Sequence, residues 1–163
     1  MSLPKLTIEL VPRTCWYTNV RSQVTEDEWD TIRKKAYRKA NFVCQICGDV
    51  GTNQGKYHAV ECHEIWDYDD KDKIQSLMGL IALCPNCHKV KHPGLAGIKG
   101  EGHIVTAQLM KVNGMDIFEA EEFEDKAFKV WKERSCHEWT LDITYLDEYM
   151  KPEPPSDNWW ENT

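Results

Sequence analysis

The sequence has no long apolar run and no excess of positive charge. A membrane-spanning helix needs about 20 consecutive apolar residues, and no stretch of this chain approaches that length. The first residues do not form a secretory signal, and the seven cysteines are an odd number, which argues against a disulfide framework built in an oxidising compartment. We therefore expect a soluble, cytoplasmic protein with reduced thiols and no association with membranes.

Positive charge is in deficit, because 20 Lys and Arg oppose 27 Asp and Glu and leave a net charge of −7. The phosphate backbone supplies most sequence-independent affinity for DNA, so this balance disfavours long-range steering and processive binding. A local basic cluster nevertheless occupies residues 33–39, and further lysines flank two histidines near residue 90. The alternative for the 33–39 cluster is a solvated helix face. The side chains predicted to contact nucleic acid are Arg33, Lys34, Arg38, Lys89 and Lys91.

The apolar pattern predicts an α+β fold, with one globular domain over residues 1–150 and a flexible, proline-rich tail at 151–163. Within the domain, residues 1–40 should contain an N-terminal strand at 6–11 and a basic helix that starts after Thr25. Residues 41–100 should form a metal-bound core, and residues 101–150 should be helical. Asn113-Gly114 should end one helix there, and Asp116 with Glu119 should open the next. The apolar stripe of that next helix should be Ile117, Ala120, Phe123, Ala127, Val130 and Trp131.

Four of the cysteines form two pairs with C-x-x-C spacing, Cys44 with Cys47 and Cys84 with Cys87. Two such pairs provide the four thiolates of a closed tetrahedral zinc site, which has no open position for a substrate. The alternative of four unrelated buried cysteines is disfavoured because the same spacing occurs twice. We predict a structural zinc ion whose removal loosens the segment between the pairs.

The region between and after these pairs predicts strand, strand and helix. Residues 57–68 and 74–83 have the composition of a hairpin, and Pro85 suits the first turn of a helix that ends at His92. His63 then lies on the first strand, while His88 and His92 share one helical face. Neutral imidazoles can serve as general bases or metal ligands. The alternatives are a hydrogen-bonded structural role for His63 and a helix-dipole contact for His92. For His88 the alternatives are a spare fifth ligand of the zinc and an outer contact near it.

This arrangement resembles the HNH endonuclease family of the ββα-metal (His-Me finger) type, and more closely its four-cysteine, zinc-bound branch in bacteria and phages. Uncharacterised bacterial HNH-like proteins have a similar run of residues. The resemblance covers roughly residues 41–97. The residues that carry it are Cys44-x₂-Cys47, His63, Cys84-x₂-Cys87-His88 and, after three further residues, His92.

The resemblance implies a zinc-stapled ββα-metal core with flanking helices and an N-terminal strand. It implies that His63 is the general base, and that His88 and His92 bind a second, catalytic divalent metal (Mg, Mn, Ni or Zn). The implied reaction is hydrolysis of phosphodiester bonds, with DNA as the partner. As an alternative, the chain is a catalytically altered or inactive zinc module that binds nucleic acid or a protein partner. A third hypothesis is a hydrolase of smaller phosphoesters.

Two positions depart from the family pattern. Cys62 stands where the family has an Asp or His ligand before the base, and a thiolate does not suit magnesium. Gly79 stands where the family has its middle Asn, a residue that braces the loop bearing the base. The candidates for the missing oxygen ligand are Glu61 and Glu64. Strand alternation puts Glu61 on the face of His63, so Glu61 is favoured.

Overall fold

The computed structural model describes residues 3–152, which form seven α-helices and one three-stranded sheet. The predicted α+β class is therefore confirmed, whereas residues 153–163 of the predicted tail lie outside the described residues. No helix in the described part of the chain has both the length and the hydropathy that a membrane crossing requires. The strands are β1 (Glu61–Asp69), β2 (Ile74–Leu83) and β3 (Thr140–Asp142). The helices are α1 (Val20–Gln23), α2 (Glu26–Lys39), α3 (Pro85–Lys91), α4 (Pro93–Ile98), α5 (Gly102–Asn113), α6 (Ile117–Arg134) and α7 (Tyr145–Tyr149).

The predicted hairpin is present, with β1 antiparallel to β2 and Glu61 opposite Leu83. β2 has the predicted bounds, but β1 begins at Glu61 rather than at residue 57. The segment before it is a loop, because a 3-10 turn at Gly51–Gln54 draws the chain back and the Gly51 amide bonds to the Ala59 carbonyl. β3 then pairs in parallel with β2, so β1 is an edge strand. The sequence did not predict β3, which has only three residues.

Two hydrophobic clusters pack against the hairpin. The first surrounds the cysteines and includes Leu83 of β2, Val90 of α3 and Leu109 of α5. The second joins α2 and α7 to the hairpin and includes Ile32 and Trp66. The hairpin therefore connects the sulfur-rich half of the molecule to the half that contains α2.

The helix ends follow the predicted capping signals. At the start of α2, the Thr25 hydroxyl accepts from the Glu28 amide at 3.1 Å, and the Glu28 carboxylate accepts from the Thr25 amide at 3.3 Å. α5 ends at Gly114, whose φ of 67° is the left-handed conformation that favours glycine. Asp116 caps α6 through the Glu119 amide at 2.8 Å. Most of the apolar stripe predicted for α6 is not buried, because α6 packs mainly against α5.

The prediction of an N-terminal strand is wrong. Residues 6–11 form no strand and join none of the three described strands. Leu6 is instead fully buried, and the Asn113 side chain accepts from its amide at 2.9 Å and donates to its carbonyl at 2.8 Å. The Lys91 ammonium donates to the Thr7 carbonyl at 2.6 Å. These side chains satisfy the backbone groups that a neighbouring strand would otherwise pair.

Candidate metal centres

The four cysteines of the predicted zinc site lie together. Their sulfur atoms are all within 4.8 Å of one another, and the sulfurs of Cys47 and Cys84 are 3.5 Å apart. Tetrahedral ligation with Zn–S bonds of about 2.3 Å separates sulfurs by about 3.8 Å. The cluster is therefore fit to hold one zinc ion, as the spacing predicted.

Local backbone geometry directs the sulfurs inward. Gly48 follows the first pair with a φ of 79°, which lets the chain turn back after Cys47. Cys84 is the N-cap of α3, and its sulfur accepts from the Cys87 amide at 3.4 Å. The Gln108 side chain of α5 also donates to the Cys87 sulfur at 3.2 Å. Sequence patterns gave no signal for Gln108, because this contact depends on how α5 packs.

The thiols share protons as one unit. Hydrogen bonds from Cys84 and Cys87 lower the pKa of Cys44, whereas burial raises the pKa of Cys47 to about 11. Opposite pKa shifts of this kind are expected when one thiolate accepts hydrogen bonds from neighbouring thiols that stay protonated. Binding of zinc releases the remaining protons, so the affinity of this cluster for zinc should fall in acid.

Three histidines form a second cluster next to the first. The ring centroids of His63 and His88 are 5.4 Å apart, those of His63 and His92 are 5.3 Å apart, and those of His88 and His92 are 4.9 Å apart. One nitrogen from each ring lies within 4.8 Å of the others, so the three can share a metal ion. β1 supplies His63 and α3 supplies His88, directly after Cys87, while His92 caps the end of α3. The four-cysteine site therefore fixes the helix that positions two of the imidazoles.

Burial keeps two of these imidazoles neutral. Loss of hydration is the main cause that lowers the pKa of His92 to about 4 and that of His63 well below its ordinary value. The neighbouring imidazoles and Lys91 contribute to both shifts in the same direction. Near pH 7 the nitrogens therefore carry free lone pairs, which is the state in which histidine binds metals.

Glu61 contacts the histidine centre from outside. Its two carboxylate oxygens lie 3.2 Å from Nδ1 of His88 and 3.2 Å from Nε2 of His58. The hydrogen bond to His88 is the main cause that lowers the pKa of Glu61 to about 2. Glu61 is not among the groups that converge on the shared position. This placement differs from the predicted oxygen ligand, because the carboxylate instead contacts Nδ1 of His88, a contact of the kind that orients a histidine ring.

Replacement of Glu61 by Gln should weaken metal binding at the histidine centre by about 10- to 100-fold, the usual effect of losing a carboxylate that orients a histidine ligand. A competition titration with a chromophoric chelator measures this affinity. Glu122→Gln is the control, because Glu122 is an exposed carboxylate on α6. Unchanged affinity in Glu61→Gln would refute the orienting role.

Cys62 does not join the histidines. It is not among the groups that share the centre, and burial raises the pKa of its thiol to about 12. Gly79 lies on β2, opposite Ile65 of β1. Ile65 follows His63 by two residues on β1.

The predicted nucleic-acid contacts lie in different places. Lys89 is beside the centre and pairs with Glu101 at 2.8 Å. Lys91 is buried, with its ammonium 3.0 Å from Glu9, so it has a structural role and is not available to phosphate. The remaining three, Arg33, Lys34 and Arg38, are on α2 and line neither cavity next to the histidines.

Two cavities meet at the histidines. The larger, which we call the aromatic cavity, has a volume of about 670 Å³ and is lined by Trp16, Trp29, Trp66, Trp131, Phe128 and the three histidines, among others. The smaller, which we call the lysine cavity, has a volume of about 290 Å³ and is lined by Lys56, Lys89, Lys99, His58, Glu61 and Glu101, among others. His88 and His92 line both cavities, so the centre lies at their junction. The sequence did not predict either cavity.

The resemblance to HNH nucleases depends on the cysteines, the histidines and the order of strand, strand and helix. Comparison of the chain with protein-family models, curated proteins and solved structures finds no match.

Proposed function

We propose that this chain is a metal-dependent nuclease of the HNH type that hydrolyses DNA phosphodiester bonds at the histidine centre. The observation that carries the proposal is the convergence of His63, His88 and His92 beside two cavities. Three protein ligands leave a tetrahedral position open for substrate or water, whereas four thiolates leave none. The cysteine site is therefore structural, and the histidine centre is the site of reaction.

Each residue around the centre has a distinct task. The three imidazoles would hold a divalent ion, which when bound would polarise a phosphate oxygen and stabilise charge on the leaving group. Glu61 holds the ring of His88 in position, and Lys89 provides positive charge beside the phosphate path. His63 was predicted to be the general base. One nitrogen of its ring lies within 4.8 Å of a nitrogen of each of the other two imidazoles, so we assign His63 as the third ligand.

The composition of the centre favours particular metals. Imidazole ligands suit zinc and nickel, whereas magnesium prefers oxygen ligands. No carboxylate of the described residues converges on the shared position. Of the four predicted metals, zinc and nickel therefore fit best and magnesium fits least.

A plasmid-nicking assay tests the proposal. The parent protein, carrying its structural zinc, should convert supercoiled DNA to the open-circular form with added Zn²⁺ or Ni²⁺, and not with Mg²⁺ alone. His63→Ala should lose both cleavage and the second metal, as counted by mass spectrometry under native conditions. A His63→Ala variant that keeps the second metal but does not cleave would return His63 to the role of general base.

The non-catalytic zinc module remains the second candidate. It is favoured by the low exposure of His63, which is 7% accessible, and by the absence of a carboxylate from the described ligand group. If the protein binds DNA but does not cleave it in the presence of any of the metals, the non-catalytic zinc module replaces the nuclease proposal. Cleavage of a small model diester without cleavage of DNA would instead indicate a hydrolase of smaller phosphoesters.

A further inference from the structure

We infer that the preferred substrate is a single-stranded nucleic acid, with one unpaired base in the aromatic cavity and the adjoining phosphates in the lysine cavity. This inference rests on the proposed function, because it takes the histidine centre as the point of cleavage. It adds a substrate class and a binding role for residues outside the centre.

The aromatic cavity offers stacking surface. Trp16 and Trp131 each donate their indole N–H to the Val11 carbonyl, at 3.2 Å and 3.0 Å. Their polar groups are therefore satisfied within the protein, and what remains for a ligand is the π surface of the rings. Trp16 is 53% exposed, which makes its ring accessible from solvent. Aromatic side chains of this kind stack on unpaired bases with little dependence on sequence.

Positive charge accompanies these rings. The Arg21 guanidinium lies 5.9 Å from the centre of the Trp29 ring and lines the same cavity. The Arg13 guanidinium lies 5.2 Å from the centre of the Trp131 ring. Grooves that bind single strands combine aromatic rings with nearby cations, because the bases stack on the rings and the cations contact the phosphate backbone.

The lysine cavity suits phosphate. Lys56, Lys89 and Lys99 all contribute to lowering the pKa of Glu101, with Lys89 contributing most. Glu101 pairs with Lys89 at 2.8 Å. Lys56 and Lys99 have no ion pair with any of the described residues, so their ammonium groups can contact a phosphate backbone.

The junction of the cavities explains why the strand should be unpaired. His88 and His92 line both cavities, so a nucleotide that spans them presents its phosphodiester to the histidines. A base within a duplex is stacked and paired, and must leave the helix before it can enter the aromatic cavity. The net charge of −7 also gives little attraction for the denser charge of a duplex.

Binding of labelled oligonucleotides by fluorescence anisotropy tests this inference. The assay uses the parent protein with its structural zinc and without added metal, and compares single-stranded DNA and RNA with a duplex of the same sequence. Both single strands, as sources of an unpaired base, should bind more tightly than the duplex. Trp16→Ala should weaken single-strand binding by about 10-fold, the scale of one lost stacking contact. Tyr17→Ala is the matched control, because Tyr17 is 88% exposed and does not line the aromatic cavity.

A second variant and an abasic strand separate the two cavities. Lys99→Glu should weaken binding of normal and abasic strands alike, because it acts on phosphate, whereas Trp16→Ala should have no effect on an abasic strand. Duplex preference, or equal effects of Trp16→Ala and Tyr17→Ala, would overturn the inference. Trp16-dependent binding of single strands, without cleavage of either those strands or the plasmid, would leave this inference in place and refute the nuclease. Nicking by a protein that binds the duplex more tightly than the single strands would leave the nuclease proposal in place and overturn this inference.

Discussion

Replacement of Cys84 by Ser is expected to abolish zinc binding at the cysteine cluster and to unfold the half of the protein around it. Cys84 is fully buried, caps α3 and belongs to the hydrophobic cluster that α3 and α5 share with β2. Structural zinc contributes about 10–16 kcal/mol of apparent binding free energy in zinc-finger peptides, which is comparable with the total stability of about 5–15 kcal/mol of an ordinary domain. Loss of far-UV circular dichroism and of the cooperative thermal transition measures the effect.

Cys136→Ser is the matched control, because Cys136 is an exposed, free thiol outside the cluster. This variant should keep the zinc content and the thermal transition of the parent. A strong chelator added to the parent protein should reproduce the effect of Cys84→Ser, and added zinc should reverse it. A parent protein that keeps its transition after complete removal of zinc would show that the apolar contacts suffice and that zinc is not structural.

Replacement of His88 by Ala should reduce plasmid nicking by about 1,000-fold, because the loss of a ligand removes several kcal/mol of transition-state stabilisation by the metal, and each 1.36 kcal/mol is worth about a factor of ten. Gel quantification of open-circular DNA over time measures the rate. The four-cysteine zinc should remain, because the sulfurs are unchanged. Mass spectrometry should therefore show loss of the second metal only.

His103→Ala is the control for this variant, because His103 is an exposed histidine on α5 and belongs to neither cluster. It should nick DNA at the rate of the parent. Equal rates for His88→Ala and the parent, in preparations free of contaminating nuclease, would contradict the assignment of the histidine centre. A fall in rate that accompanies loss of the thermal transition would instead reflect unfolding.

Features set by short-range chemistry could be predicted from the sequence. The cap at Thr25, the left-handed Gly114 and the proline at the first turn of α3 follow from backbone preferences that act within a few residues. Spacing was equally informative at the two C-x-x-C pairs, since four thiols in that pattern have few other uses. The helical spacing of His88 and His92 predicted that both face the same way.

Features that depend on packing between distant segments could not be predicted. The alternation at residues 6–11 is typical of a strand, but the side chains of Asn113 and Lys91 take the place of a neighbouring strand. The aromatic cavity brings together tryptophans that are far apart in the sequence. Glu61 has the right residue type and the right face for a metal ligand, yet a contact with His58 and His88 gives it a different task. Such outcomes depend on distances of an ångström or two, which a pattern of residues does not encode.

The adjacency of Cys87 and His88 on one short helix has a thermodynamic consequence. Occupancy at either site orders the same few turns of backbone, so each ion lowers the conformational cost that the other must overcome. Reciprocity then requires the two affinities to rise by one common factor. We therefore expect the histidine centre to bind its ion more tightly when the cysteine site is filled than when it is empty, and the cysteine site to gain the same factor when the histidine centre is filled.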